Sequence, residues 1–95
     1  MKKTKPHFEK YVFVCENERT DEPCCGKAGQ DIRQKFKDLV KKRGLSHRIR
    51  VSRAGCLDVC RWGPNILIAP DYIWYQDIKP DDIEKILDEI VRSLP

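Results

Sequence analysis

Tyr11-Val12-Phe13-Val14-Cys15 is the stretch on which the fold turns. It is too short for a helix, rich in β-branched and aromatic side chains, and apolar without interruption, which is the signature of a central strand. It also ends on a cysteine, so the strand carries a thiol to its C-terminal end. Downstream, Glu16 to Ala28 is polar and punctuated by Pro23, Cys24-Cys25, Gly26 and Gly29, and reads as a loop.

Ile32, Phe36, Leu39 and Val40 then recur at helical spacing, Lys41-Lys42-Arg43 supply cations to a last turn, and Gly44 follows as a C-terminal cap. The pattern predicts a helix from about Gly29 to Arg43. Ile49 and Val51 alternate with polar neighbours, which predicts a half-buried strand from about His47 to Ser52. Strand, helix and strand at these lengths imply a right-handed parallel crossover. Arg53 to Pro64 is a second loop, holding Gly55, Cys56, Cys60 and Gly63. Ile66-Leu67-Ile68-Ala69 and Tyr72-Ile73-Trp74-Tyr75, joined at Pro70-Asp71, form a hairpin. Pro80-Asp81-Asp82 opens a final helix with proline at its first position, and Ile83, Ile86, Leu87, Ile90, Val91 and Leu94 make its buried stripe. The order β-α-β then β-β-α predicts an α/β (α+β) domain. Its four-stranded mixed sheet has the order 2-1-3-4 and carries two main helices, a thioredoxin-like arrangement.

A chain of 95 residues makes one domain. Residues 1–10 are expected to form a flexible tail and residues 11–95 the domain. The basic start Met1-Lys2-Lys3-Thr4-Lys5 runs into Pro6, His7, Glu9 and Lys10 rather than an apolar core, so no secretory signal is read. No stretch approaches the roughly 20 apolar residues that span a bilayer. The expected location is the cytoplasm, without membrane attachment, where clustered cysteines are ligands or catalytic groups before they are disulfides.

The five cysteines fall into two groups: Cys15 with Cys24-Cys25, and Cys56-Leu57-Asp58-Val59-Cys60. In the expected topology both groups leave the same sheet edge, at the carboxyl ends of parallel strands, where α/β proteins place their sites. Four soft sulfur donors from two loops suit an iron-sulfur cluster. They also suit structural zinc, which spacing leaves open. A thiol-disulfide oxidoreductase is a third reading, weakened by the lack of a C-x-x-C motif opening a helix. His7 in the tail and His47 before the second strand do not provide the histidine pair of a Rieske centre. No Ser-His-Asp, paired-carboxylate or phosphate-loop constellation is present.

The motifs together carry a resemblance. Val12-Phe13-Val14-Cys15-Glu16-Asn17-Glu18-Arg19, Cys24-Cys25-Gly26, Val51-Ser52-Arg53-Ala54-Gly55-Cys56-Leu57-Asp58-Val59-Cys60, and Gly63-Pro64 ahead of Trp74-Tyr75 are similar to the thioredoxin-like 2Fe-2S ferredoxins. The cluster subunits of respiratory NADH dehydrogenases and of some hydrogenases share that family's fold and site. The resemblance spans about Tyr11 to Val91. It implies a 2Fe-2S cluster held by Cys15, Cys25, Cys56 and Cys60. Cys24 stands where the family often has serine, and is the alternative ligand. The loop between Cys15 and Cys25 is shorter than in many relatives. The implied role is a one-electron carrier rather than a catalyst, with redox proteins as donor and acceptor, and relatives can be dimeric. By analogy of cluster type the potential is expected to be low, on the order of −400 mV.

Several other residues have a reading. Arg53 and Arg61 are placed to offset an anionic cluster. Trp62 is read equally as a cover for the centre and as ordinary packing. Glu16, Glu18, Asp21 and Glu22 are expected to be a solvated acidic loop. The formal charge of +4, with Lys41-Lys42-Arg43 and His47-Arg48-Ile49-Arg50, raises a nucleic-acid reading. It is set aside because a helix's last turn and the outward positions of a strand account for these cations.

Overall fold

In the computed structural model the described residues are 1–16, 26–54 and 64–94. Among them are strands β1 (Lys10–Cys15), β2 (Ile49–Ala54), β3 (Ile66–Ala69) and β4 (Ile73–Tyr75), with helices α1 (Gly26–Lys42) and α2 (Asp82–Arg92). The sheet order is β2-β1-β3-β4. β1 runs parallel to β2 and antiparallel to β3, and β3 and β4 form the antiparallel hairpin. The thioredoxin-like arrangement expected from the element order is therefore the one observed.

The sheet's period of two decides which residues reach the core. Val12 and Val14 of β1, Ile49 and Val51 of β2, and Ile66 and Ile68 of β3 point to one face and are buried. Ile32, Phe36 and Val40 of α1 and Ile83, Ile86, Leu87 and Ile90 of α2 complete the same cluster. Both helices thus cover one face. On the other, Tyr11 and Phe13 stack with ring centroids 6.1 Å apart, and Phe8 meets Tyr11 edge-on at 5.7 Å. Val91, assigned to the buried stripe of the second helix, is exposed, and Leu94 is only partly buried. The stripe is narrower because Ile83, Ile86, Leu87 and Ile90 already fill the width that the sheet offers.

The helix ends explain two shifts in boundary. α1 starts at Gly26, three residues before the expected Gly29. Gly29 is a place of close approach inside the helix, not loop punctuation. At the other end Gly44, at φ 71°, terminates α1. Its N–H donates to the Lys41 carbonyl and the Leu45 N–H to the Val40 carbonyl, both at 3.0 Å, which is a Schellman closure. α2 starts at Asp82, with Asp81 as the flanking residue, so Pro80 precedes the helix instead of opening it. The preceding turn is closed independently: the Lys79 N–H donates to Asp82 Oδ2 at 2.9 Å, and the Asp82 N–H to the Lys79 carbonyl at 2.9 Å.

Candidate metal centre

Cys15 is the last residue of β1 and is completely buried. Its backbone N–H donates to the carbonyl of Asn65 at 3.0 Å, immediately before β3. Its register partner on the opposite side is Ala54, the last residue of β2. The Glu16 N–H continues that ladder to the Ala54 carbonyl at 3.4 Å. The end of β1 is therefore gripped between the end of β2 and the start of β3. Glu16 is the last described residue before Cys24-Cys25 in sequence, and Ala54 and Pro64 flank the stretch that holds Cys56 and Cys60. Both cysteine-bearing segments are rooted around Cys15.

α1 closes the third side. A Cβ added at Gly29 would lie 2.1 Å from the Cys15 carbonyl oxygen and 3.0 Å from the Glu16 Cα. Such a contact is sterically forbidden, so only glycine lets the first turn of α1 rest on the end of β1. Gly26, where α1 begins, directly follows Cys25 in sequence. Of the predicted ligands, Cys15 is described and lies where it was expected, at a strand end on the loop-bearing edge. Cys24, Cys25, Cys56 and Cys60 lie outside the described residues. So do Glu18, Asp21, Glu22, Gly55, Arg61, Trp62 and Gly63.

Glu16 departs from its expectation. The sequence places it in a solvated acidic loop, yet its side chain is 2% exposed. Arg33 of α1 donates from Nε to Glu16 Oε2 at 2.5 Å, and Arg53 Nε of β2 stands 3.6 Å from Oε1. Two guanidinium groups compensate the carboxylate, which permits its burial. Arg53, expected to offset the charge of a cluster, is thereby shared with a protein carboxylate. Sequence periodicity carries no trace of this group, because its members are 17 and 37 positions apart. The one local hint was Glu16 following directly on a buried strand.

The basic residues are engaged elsewhere too. Arg43 bonds Asp88 at 2.6 Å and approaches Glu84 at 3.7 Å, tying the end of α1 to α2. Arg48 donates to both oxygens of Glu9 at 2.8 Å. That pairing holds the Glu9 carboxyl below the usual range and raises the Arg48 guanidinium. Tyr75 of β4 bonds Glu89 of α2, and burial, followed by that carboxylate, pushes its phenol up to about 12. Among the described residues no helix is long and apolar enough to cross a membrane.

No protein-family model matches the chain. A 2Fe-2S ferredoxin of Clostridium pasteurianum is 28% identical over 87 residues, covering 87% of this chain and 85% of that protein. A 2Fe-2S ferredoxin of Aquifex aeolicus is 27% identical over 89 residues, covering 88% and 80% respectively. Among solved structures, the wild-type thioredoxin-like [2Fe-2S] ferredoxin from Aquifex aeolicus superposes with a TM-score of 0.78 at 26% identity, over 90% of this chain and 87% of that one. A cysteine-to-serine variant of it also superposes at 0.78, with 25% identity over 87% of each chain.

Proposed function

We propose that this chain, which resembles the thioredoxin-like 2Fe-2S ferredoxins in sequence and in fold, is a one-electron carrier that holds a 2Fe-2S cluster. The ligands are Cys15, Cys25, Cys56 and Cys60, with Cys24 as the substitute for Cys25. The observation that carries the reading is the convergence at Cys15. Ala54, Asn65 and Gly29 all touch the end of β1. Cys56 is two residues beyond Ala54 in sequence, so its Cα stays within about 7 Å of that of Ala54. Cys25 is bonded to the residue that starts α1, and α1 is seated on Cys15. Connectivity thus limits how far the backbones of Cys25 and Cys56 can lie from the end of β1, which supports a shared site.

The residues present suit such a group. The donors are all thiols, the softest ligands a protein has, and the described one is shielded from water. The group supplies reversible one-electron chemistry when bound. The chain's part is to hold four sulfurs in place, to exclude water from the Cys15 side, and to fix the charge around them. Sheet and helices serve as a rigid base, so changing redox state calls for little rearrangement. No acid, base or nucleophile is required, which fits a carrier rather than an enzyme. Donor and acceptor are other redox proteins that dock at this edge, in the cytoplasm.

The test is anaerobic purification with iron, acid-labile sulfide and visible absorption measured together. Two irons and two sulfides per chain, with colour bleached by dithionite, are expected. A colourless protein with one zinc per chain overturns the reading. Replacing cysteines by serine one at a time assigns the ligands: loss of colour at Cys15, Cys25, Cys56 and Cys60, and its retention at Cys24, is the expected pattern.

A further inference from the structure

We infer that Glu16 is a positioning residue for the metal centre. Its carboxylate, clamped by Arg33 and Arg53, ties together the roots of both cysteine-bearing segments and fixes the charge at the end of β1, next in sequence to Cys15. The inference rests on the reading of Cys15 as a ligand. Each partner comes from a different element, and each element leads to a different cysteine. Glu16 follows Cys15 on β1, Arg53 on β2 stands three residues before Cys56, and Arg33 on α1 stands eight residues after Cys25. One carboxylate therefore adds a polar link among three chain segments that the sheet ladder, the Gly29 contact and the apolar core already bring together.

Stability is a weak reason for this group. Exchanging a buried ion pair for apolar side chains of similar volume is often neutral or favourable, so a buried carboxylate needs another reason. The count of charges supplies one. Glu16 carries one negative charge against two guanidinium groups, so the group is net positive at the edge where four thiolates would gather. Reduction adds negative charge to such a centre, and a positive neighbour favours it. Arg33 is the closer and less exposed cation, at 28%, and acts chiefly by holding the carboxylate. Arg53, at 70% exposed, is screened by solvent and contributes less.

The experiment compares full-length wild type, Glu16→Gln, Glu16→Asp and Arg53→Gln, purified anaerobically and titrated with dithionite against redox mediators. Glu16→Gln keeps the shape and removes the anion, so the equilibrium constant for reduction should rise about tenfold, equivalent to a midpoint about 59 mV higher. Arg53→Gln should move it the opposite way by about threefold. Glu16→Asp, which keeps the charge, should stay within threefold of wild type. In the same samples, hydrogen exchange at the Cys15 amide should be at least tenfold faster in Glu16→Gln. Reduction constants unchanged within twofold in both Glu16→Gln and Arg53→Gln overturn the inference, as do shifts in the same direction. If Glu16→Gln does not accumulate, the sign of the Arg53→Gln shift decides alone. A wild type without iron would refute the ferredoxin reading instead. The Cys15 exchange rate then decides the positioning role, and a rate unchanged by Glu16→Gln overturns it.

Discussion

The two ends of β1 each bury a charged side chain, and they compensate it differently. At the start of the strand Lys10, 6% exposed, donates to Asp71 in the hairpin turn at 2.5 Å. One cation meets one anion, and the pair is neutral. At the other end Glu16, 3% exposed, lies between Arg33 and Arg53, and among these described residues a positive charge is left over. The first pair locks β1 to the hairpin and carries no net charge. The second stands beside the cysteine edge and has one. Burial of charge is thus a register device at one end of the strand and an electrostatic device at the other.

The strongest way to break the cysteine end is Gly29→Ala. Its Cβ would sit 2.1 Å from a backbone oxygen that cannot rotate away, so α1 and β1 must separate. A loss of about 3 kcal/mol or more is expected in denaturant unfolding, with iron content falling in parallel. Lys10→Met breaks the opposite end by leaving Asp71 without its buried cation. The expected cost is about 2 to 3 kcal/mol, below the usual range for a severed buried pair because Asp71 keeps some exposure. Its equilibrium constant for reduction should remain within twofold of wild type. A potential that followed Lys10→Met as strongly as Glu16→Gln would erase the distinction between the two ends.

Two smaller tests sharpen it by titration. The Tyr75 phenol, pushed up to about 12, stays protonated in the fold after an unfolded tyrosine has ionised near 10. Its contribution to stability is therefore complete below about pH 10 and is lost as pH rises to about 12. An ultraviolet titration should show one late tyrosine, absent in Tyr75→Phe, which should cost about 1 kcal/mol through the lost bond to Glu89. The least effect is expected at Glu9, next to Lys10. Its lowered carboxyl stabilises the fold above the ordinary carboxylate range and ceases to do so as pH falls through the lowered value. Glu9→Gln should flatten the acid limb of a stability profile slightly and leave the potential unmoved.

Much of the frame was legible because its signals are local. Val12 and Val14 alternate into the core, Ile32 to Val40 repeat at helical spacing, and Gly44 stops α1 as a capping glycine should. Cys15 could be placed at a strand end for the same reason. Errors came where a residue has two local meanings. Gly26 follows two cysteines and a proline, so it reads as loop and the helix is expected only from Gly29; α1 begins at Gly26, and Gly29 lies in its first turn against Cys15. Glu16 begins an acidic run, so it reads as solvated; its partners lie on α1 and β2. Pro80 resembles a first helical residue, but the Asp82 side chain and the Lys79 backbone close a turn ahead of α2.

By itself the sequence determined the element order, the strand sequence 2-1-3-4 and the place of Cys15 at the end of the first strand, since periodicity, turn residues and crossover handedness act over short stretches of chain. Tertiary structure alone decided that Gly29 would be the seat of Cys15 and that Glu16 would be buried between two arginines. Those contacts join residues far apart in sequence, and whether a carboxylate is solvated or clamped depends on which side chains the folded sheet and helix bring to it.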